Sequence, residues 1–197
     1  MEKNIIKKIQ KRTKMNKKEL REKYKIIRKN IINREEKEEK IINKLKEETV
    51  YKKSNVIAIY KNLPSEVKTE KIINYTLSIG KIILLPKVTE EGLKFYQIDK
   101  TERLIKSNFG VEEPVGEKEK YVDKEEIDLM ILPGICFDEE RNRIGFGMAY
   151  YDKYLQNTSI ETIALCFEEQ ILKDEMIDTD KTDIKVKKII TDKKIYK

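Results

Sequence analysis

Five short apolar runs constrain the fold of this chain more than any other feature of its sequence. They lie at residues 55–60, 81–86, 128–132, 162–167 and 188–191. Each run is largely continuous rather than a strict alternation of apolar and polar residues, which is typical of strands that are buried on both faces. Segments that can form helices separate most of them. The pattern therefore predicts an α/β fold with a mostly parallel sheet.

The N-terminal part of the chain predicts helix. Asn16 followed three residues later by Glu19 is typical of a capped helix start. Apolar residues recur at helical spacing between residues 20 and 45, and this periodicity indicates a helical face that packs on a core. We predict one long helix, or two helices with a break near Asn33.

The remaining elements complete a single domain. A strand nearer the sheet edge is predicted at residues 93–98, and a loop at residues 108–119, which contain two glycines and a proline. With helices on both faces of the sheet, the expected architecture is a Rossmann-like three-layer fold. We assign residues 1–14 to a basic N-terminal extension and residues 15–197 to the α/β domain.

The chain contains no histidine, which excludes Ser-His-Asp and Cys-His catalysis and removes the commonest zinc ligand. Its two cysteines, Cys136 and Cys166, lie in apolar surroundings without CxxC spacing. We therefore expect buried free thiols rather than a disulfide or a metal site. Any chemistry must use carboxylates, lysines, arginines, tyrosines or a bound cofactor.

Positive charge is concentrated at the N-terminus. Residues 1–29 hold thirteen Lys or Arg and three Glu, whereas the rest of the chain holds thirty basic and thirty-three acidic residues. Such an arm can bind RNA or attract a small polyanion, or it can form a solvated helix face. Tyr24 is the only aromatic residue in the arm, and single-strand binding usually relies on aromatic stacking. We therefore do not expect a nucleic-acid partner.

No apolar stretch approaches the ~18 residues that span a bilayer. The N-terminus also lacks the uninterrupted apolar core of a secretory signal. We expect a cytoplasmic protein without a membrane partner.

A strand, a loop and a helix follow one another between residues 128 and 155. A charged loop is predicted at residues 138–143, and two glycines within three residues follow it in the segment 143–147, RIGFG. Glycines let backbone N–H groups approach an anion closely, and an arginine fork matches phosphate oxygens. Asp152, five residues after the second glycine, is placed to hold the Mg²⁺ that accompanies a triphosphate. These features predict a nucleotide-triphosphate site, although glycines also occur where a chain merely turns.

The whole segment resembles the signature of the 5-formyltetrahydrofolate cyclo-ligase family, also called 5,10-methenyltetrahydrofolate synthetases. The resemblance lies in PGICFD, RIGFG and YYDKYL at residues 133–138, 143–147 and 150–155. Weaker similarities follow in the family's order, at residues 17–21, 60–69, 80–86, 113–114 and 183–191. The resemblance covers nearly the whole chain after residue 15.

The resemblance implies closure of 5-formyltetrahydrofolate to 5,10-methenyltetrahydrofolate, with ATP converted to ADP and phosphate and Mg²⁺ bound with the ATP. An N-formyl group is amide-like and poorly electrophilic. Phosphorylation of its oxygen creates a leaving group, after which N10 attacks. Such a transfer depends mainly on positioning and charge stabilisation, which suits a chain without histidine.

The resemblance also implies individual roles. Arg143 and Asp152 would be catalytic, and Asp152 with Asp183 would hold Mg²⁺. The implied ATP contacts are Lys17, Arg21, Arg143, Ile144, Gly145, Phe146, Gly147, Met148, Ala149, Tyr150 and Tyr151. The implied folate contacts are Lys61, Glu66, Phe146, Met148 and Tyr150. A carboxylate such as that of Glu66 suits the paired N–H donors of a pterin ring.

The chain departs from the family's pattern at Met148, where glycine is often found, and at Ala149, where glycine is usual. The extra methyl group of alanine is costly only if φ is positive there.

Two other functions fit parts of the sequence. A related α/β enzyme acting on another phosphorylated or nucleotide substrate would not need Glu66 beside a folate-shaped cavity. An RNA-binding protein would lose binding when residues 1–14 are removed. On the cyclo-ligase reading, the partners are ATP and 5-formyltetrahydrofolate, with or without a polyglutamate tail, and the protein is a monomer or weak dimer.

Overall fold

The computed structural model describes residues 15–99, 103–107, 110–173 and 175–197. The basic extension assigned to residues 1–14 lies outside the described residues. The helices are α1 (Lys17–Lys29), α2 (Arg34–Glu47), α3 (Thr49–Lys53), α4 (Glu70–Ser78) and α5 (Tyr150–Leu155). Within the described ranges, no helix has the length and apolar character needed to cross a bilayer. The cytoplasmic location expected from the sequence stays a prediction.

Thirteen strands and three single turns of 3₁₀ helix complete the described chain. The strands are β1 (Val56–Ile59), β2 (Ile82–Thr89), β3 (Gly92–Ile98), β4 (Leu104–Lys106), β5 (Glu112–Pro114), β6 (Tyr121–Val122), β7 (Leu129–Leu132), β8 (Cys136–Asp138), β9 (Arg143–Ile144), β10 (Glu161–Leu165), β11 (Ile171–Leu172), β12 (Lys188–Ile190) and β13 (Ile195–Tyr196). The 3₁₀ turns are Lys118–Lys120, Lys124–Glu126 and Glu168–Gln170.

The main sheet has eight strands in the order β13-β12-β10-β7-β1-β2-β3-β6. Its five central strands, β12, β10, β7, β1 and β2, run parallel, and antiparallel strands close both edges. In the register of the centre, Ile57 pairs with Ile83 on one side and with Leu129 on the other. The predicted mostly parallel α/β sheet is confirmed.

Helices cover the two faces of this sheet unequally. Helices α2, α3 and α4 pack on one face, where they enclose the larger apolar cluster. On the other face, α5 and the segments around it enclose the second cluster. Helix α1 instead packs on the small sheet β11-β8-β9, with Leu20 and Tyr24 against Ile135 and Ile144. The result is the expected three-layer arrangement with α1 added at one end.

Local signals explain where α1 and α2 begin. The Asn16 side chain accepts hydrogen bonds from the backbone N–H groups of Lys18 and Glu19 at 2.9 and 3.0 Å, and the Glu19 carboxylate accepts one from the Asn16 N–H at 2.9 Å. This is a complete capping box. Asn33, with φ of +53°, precedes α2, so the chain forms two helices with the break where it was expected.

The structure refines two predicted loops. Of residues 138–143, predicted to be a charged loop, 139–142 form the turn of the β8–β9 hairpin, whereas Asp138 and Arg143 belong to its strands. Inside it, the buried Asp138 carboxylate accepts hydrogen bonds from the backbone and side chain of Asn142, each 2.8 Å long. Residues 108–119 contain strand β5, which pairs with β4. Both corrections concern short pairings that a run of charged or turn-forming residues does not reveal.

The order of the parallel strands creates a crevice. From β1 the chain crosses to β2 on one side, whereas β7 is followed by β10 on the other side. Ligands of open parallel sheets bind where the strand order reverses in this way, beyond the carboxyl ends of the strands. Here that position is bordered by Tyr60 and Lys61 after β1, and by Pro133 and Gly134 after β7.

The capping box gives a test of how local sequence stabilises α1. Asn16→Ala removes the acceptor for two backbone N–H groups, so we expect the free energy of unfolding to fall by about 1 kcal/mol, measured by urea denaturation. Asn30, the C-terminal cap of the same helix, has only a backbone capping hydrogen bond, and Asn30→Ala serves as the matched control. Equal losses in the two variants would contradict the role assigned to the Asn16 side chain.

Candidate active site

A cavity of about 270 Å³ occupies the crevice. Its walls include nine of the residues implied by the family resemblance, namely Lys61, Glu66, Arg143, Gly145, Phe146, Met148, Tyr150, Tyr151 and Asp152. Further lining comes from Pro86 and Val88 of β2, Leu93 of β3 and Glu113 of β5. Residues that are far apart in sequence thus meet in one concave space that has both apolar and charged walls.

Arg143 and Asp152 form a tightly paired group in the wall of the cavity. Nη2 of Arg143 donates to both carboxylate oxygens of Asp152 at 2.9 Å. Both side chains are largely buried, at 5% and 16% exposed, and Asp152 also accepts a hydrogen bond from the Ile184 N–H at 3.2 Å. A side chain at Gly145 would bring a Cβ within 2.9 Å of Nη1 of Arg143. The first glycine of RIGFG therefore leaves room for the guanidinium.

Lys17 brings the start of α1 to the C-terminal part of the chain. Its Nζ donates to Asp180 and to Asp183, each at 2.6 Å. Burial lowers the pKa of Lys17, but the two carboxylates outweigh burial and raise its pKa. For the acid Asp183, burial acts in the opposite direction and raises the pKa. The hydrogen bonds from Lys17 and from the Asp180 N–H outweigh burial and hold the pKa of Asp183 below its usual value.

Arg21, one helical turn after Lys17, reaches residues 145–149, between β9 and α5, which we call the glycine loop. Its Nε donates to the Gly145 carbonyl at 2.9 Å. At Gly147, where φ is +104°, an added Cβ would lie 3.7 Å from the Arg21 guanidinium carbon. We call Lys17, Arg21, Arg143, Asp152 and Asp183 the charged cluster. Three basic and two acidic side chains are thus connected through a few hydrogen bonds, and Arg21 links them to the glycine loop.

The charged cluster has the donors that a magnesium–phosphate group requires. Asp152 and Asp183 are near each other, because Asp152 accepts from the N–H of the residue that follows Asp183. Among the described residues no three His, Cys, Asp or Glu side chains form a metal-binding group. Mg²⁺ is commonly held by one or two carboxylates together with phosphate oxygens and water, so two carboxylates beside three cations fit Mg²⁺ that arrives with a phosphate.

A second buried carboxylate lies on a different side of the cavity. Glu66 is 5% exposed, and its Oε2 accepts a hydrogen bond from the Leu63 N–H at 2.8 Å. Burial raises the pKa of Glu66. Next to it, the Tyr60 hydroxyl donates to the Val67 carbonyl at 3.0 Å. We call Tyr60, Leu63 and Glu66 the Glu66 wall.

The other implied residues differ in whether they reach the cavity. Phe146 and Met148 are about half exposed and line the cavity, as do Tyr150 and Tyr151. Ile144 is buried against α1, so only its backbone is available to a ligand. Lys61 lies 3.3 Å from the Glu112 carboxylate. Six of the implied residues do not line the cavity, namely Lys17, Arg21, Ile144, Gly147, Ala149 and Asp183.

Sequence reasoning assigned no role to two charged residues at this site. Glu113 belongs to the weak family similarity at residues 113–114, which implied no role for it, yet it is buried and lines the cavity. Arg28 lies behind the Glu66 wall. Its spacing from Lys17 and Arg21, eleven and seven residues, places it on the same helical face, and this spacing could have identified it.

Comparisons with known proteins identify the family of the chain. A sequence model described as the 5-formyltetrahydrofolate cyclo-ligase family matches residues 13–192. A probable 5-formyltetrahydrofolate cyclo-ligase of Schizosaccharomyces pombe is 32% identical over 162 residues, covering 75% of this chain and 79% of that protein. The 5-formyltetrahydrofolate cyclo-ligase of Mus musculus is 32% identical, covering 71% of this chain and 74% of its own. The NMR structure of Aquifex aeolicus 5,10-methenyltetrahydrofolate synthetase superposes with a TM-score of 0.80 at 32% identity, covering 92% of each chain.

The glycine loop contains a strained alanine. Ala149 precedes α5 with φ of +53° and ψ of +23°, a left-handed conformation that costs an L-residue about 1–2 kcal/mol. We expect Ala149→Gly to raise the free energy of unfolding by about 0.5–1 kcal/mol, because part of the relieved strain is offset by the greater freedom of glycine in the unfolded chain.

The reciprocal substitution provides the control. Gly147 has φ of +104°, so Gly147→Ala should lower the free energy of unfolding by about 1 kcal/mol. Both variants are measured by urea denaturation. A loss of stability in Ala149→Gly would show that the left-handed backbone at this position is not strained.

Proposed function

The chain belongs to the 5-formyltetrahydrofolate cyclo-ligase family, and from this membership we propose that the crevice beyond β1 and β7 is the active site. The protein catalyses the ATP-dependent cyclisation of 5-formyltetrahydrofolate to 5,10-methenyltetrahydrofolate, with release of ADP and phosphate. The contacts of the described residues support two separate roles, in which the charged cluster binds the triphosphate and the Glu66 wall binds the pterin.

The reaction must make a poor electrophile reactive. The formyl oxygen attacks the γ-phosphorus of ATP, and the bond from that phosphorus to the ADP oxygen breaks. The formyl carbon, now bonded to a phosphorylated oxygen and to N5, accepts the electron pair of N10. N10 loses its proton, and the C–O bond breaks as phosphate departs. The methenyl bridge that remains carries a delocalised positive charge between N5 and N10.

We propose that the charged cluster binds the triphosphate. Arg21 on α1 contacts Gly145, Arg143 on β9 pairs with Asp152, and Lys17 on α1 pairs with Asp183. Together these three cations would offset the charge that spreads over the transferred phosphoryl group. Asp152 and Asp183 would hold Mg²⁺, which supplies charge neutralisation at the phosphate oxygens when bound. Each of these carboxylates is paired with one of the three basic residues.

The Glu66 wall would bind the pterin. A carboxylate offers two acceptor oxygens to the paired N–H donors of that ring, and Glu66 is buried at the cavity where such recognition excludes water. Phe146, Met148 and Tyr150 would pack on the ring system, and Lys61 would contact the remainder of the substrate. Polyglutamate tails, Mg²⁺ itself and a monomeric or weakly dimeric state stay proposals.

One observation carries this assignment. The same cavity is lined by the Arg143–Asp152 pair and by Glu66, although these residues come from β9, α5 and the segment after β1. A related enzyme acting on another nucleotide would not need the buried carboxylate at the Glu66 wall. An RNA-binding protein would need neither feature.

The assignment is tested by following methenyl product from (6S)-5-formyltetrahydrofolate in the near ultraviolet, with and without Mg-ATP. Product formation should require ATP. Asp152→Asn and Arg143→Ala should each lower kcat/KM by at least about 100-fold, because Arg143→Ala removes a positive charge that would face the transferring phosphate and Asp152→Asn removes a carboxylate that would hold Mg²⁺. Asp123→Asn and Arg103→Ala, at exposed positions away from the cavity, are the matched controls.

Two results would contradict the assignment. Product without ATP would remove the need for a phosphoryl transfer step. Unchanged kcat/KM in both site variants would show that the charged cluster is not where the reaction occurs.

We further propose that residues 15–197 contain all of the catalytic machinery, since each residue assigned above lies in that range. Deletion of residues 1–14 should leave kcat within about twofold, because no residue assigned to the site lies in that segment and changes away from a site generally act weakly. The same deletion would abolish binding of RNA if the protein acted through a basic RNA-binding arm. The methenyl assay on the deletion variant, with a labelled single-stranded RNA titration in parallel, distinguishes the two.

A further inference from the structure

Arg28 is a buried charge that the proposed mechanism leaves without a role. Of the three buried residues of α1, it alone is charged, and it is 2% exposed. Buried charges are costly unless they are paired and hydrogen-bonded. Its contacts therefore indicate what the charge does for the site.

The Arg28 guanidinium touches three walls of the cavity. Nη1 donates to the Gly134 carbonyl beyond β7 at 3.0 Å and lies 3.4 Å from Oε1 of Glu66. The guanidinium carbon lies 5.4 Å from the centre of the Phe146 ring, in cation–π geometry. Arg28 thus joins α1 to the segment after β7, to the Glu66 wall and to the glycine loop.

Glu66 depends on this neighbour. The Leu63 N–H occupies Oε2 of Glu66, and the positive charge nearest to Oε1 is that of Arg28. Burial raises the pKa of Glu66 and thereby favours its neutral form, whereas the hydrogen bond from the Leu63 N–H and the positive charge of Arg28 oppose burial and favour the carboxylate. A neutral carboxyl has an O–H donor in place of one acceptor, so it would match the two N–H donors of a pterin poorly.

The other groups that face Glu66 do not replace Arg28. Arg34, at the start of α2, donates to the backbone carbonyls of Glu66 and Arg28 rather than to the carboxylate. Tyr60 and Tyr151 face it with hydroxyls, and burial raises the pKa of both, so they stay neutral at working pH. The remaining charged residues of the cavity lining are Lys61, Glu113, Arg143 and Asp152.

We propose that Arg28 is a positioning residue for the pterin end of the active site, acting through Glu66: it fixes the carboxylate and keeps it in the form that accepts two hydrogen bonds. The inference rests on the proposed function, because it assumes that Glu66 binds the pterin. It assigns Arg28 no contact with ATP and no contact with the reacting atoms.

The test compares Arg28→Met, Arg28→Lys and the control Lys29→Met, which removes the same charge from an exposed neighbour on α1. For Arg28→Met we expect the KM for 5-formyltetrahydrofolate to rise about tenfold or more, with kcat and the KM for ATP within about twofold. The acidic limb of kcat/KM for the folate should move to higher pH by about one unit, since a nearby opposite charge shifts a carboxyl by ~1–3 pKa units.

The conservative variant separates charge from geometry. Arg28→Lys keeps the positive charge, so its acidic limb should stay close to that of the unaltered protein while the KM for the folate remains raised. Lys29→Met should change neither quantity. ATP binding, measured by titration calorimetry, confirms that each variant is folded.

A double-mutant cycle with Glu66→Gln tests whether Arg28 acts through Glu66. In the Glu66→Gln background, Arg28→Met should change the KM for the folate by less than about twofold, because the partner is already lost. The double variant also leaves no buried charge unpaired at this contact, so it should fold even if a single variant is unstable.

Three results would overturn the inference. The first is that Arg28→Met changes neither the KM for the folate nor the acidic limb. The second is that Arg28→Met still raises the KM for the folate about tenfold in the Glu66→Gln background, which would mean that Arg28 contacts the substrate directly. The third is a fall in kcat and in ATP affinity with the folate KM unmoved. Failure of the proposed function is recognised separately, because the unaltered protein would then form no methenyl product with Mg-ATP.

Discussion

The ion pair between Arg143 and Asp152 is the interaction on which the site depends. It ties the β8–β9 hairpin to α5, and through the Ile184 N–H it also holds the segment that precedes β12. Both side chains are largely buried, and loss of either partner would leave the other as an uncompensated charge, which is strongly destabilising. The absence of a side chain at Gly145 is what allows the guanidinium to occupy this place.

A second pairing follows the same principle. Lys17 at the start of α1 is held by Asp180 and Asp183, so carboxylates of the C-terminal part of the chain compensate its charge, although 166 residues separate Lys17 from Asp183. A triphosphate bound at the proposed site would compete with these carboxylates for Lys17, and Mg²⁺ would draw on the same carboxylates.

The sequence predicts features that local chemistry determines. Continuous apolar runs identified the parallel strands, and Asn16 and Glu19 identified the start of α1. The spacing of RIGFG before Asp152 predicted the centre of the proposed site, and the structure places Arg143 and Asp152 in one cavity. It could not predict the pairing of Lys17 with Asp180 and Asp183, which depends on the packing of α1 against the small sheet.

Side-chain and backbone conformation set the other limits of sequence reasoning. The two-residue edge strands β6 and β13 are too short to produce a periodic signal. The left-handed backbone of Ala149 could be stated only as a condition, since alanine itself does not favour positive φ. Arg28 was one of thirteen basic residues in the N-terminal 29. Its spacing places it on the helical face of Lys17 and Arg21, but its burial and its contact with Glu66 depend on the fold.

The central claim is that this site transfers the γ-phosphoryl group of ATP to the formyl oxygen, and an isotope measurement tests it most directly. The unaltered protein would be given 5-formyltetrahydrofolate labelled with ¹⁸O in the formyl group together with unlabelled Mg-ATP, and the released phosphate analysed by mass spectrometry. One labelled oxygen should appear in each phosphate for each methenyl group formed. Unlabelled phosphate, with the label recovered in water, would mean that ATP is hydrolysed beside the cyclisation rather than used to activate the formyl oxygen, and it would rule out phosphoryl transfer to that oxygen.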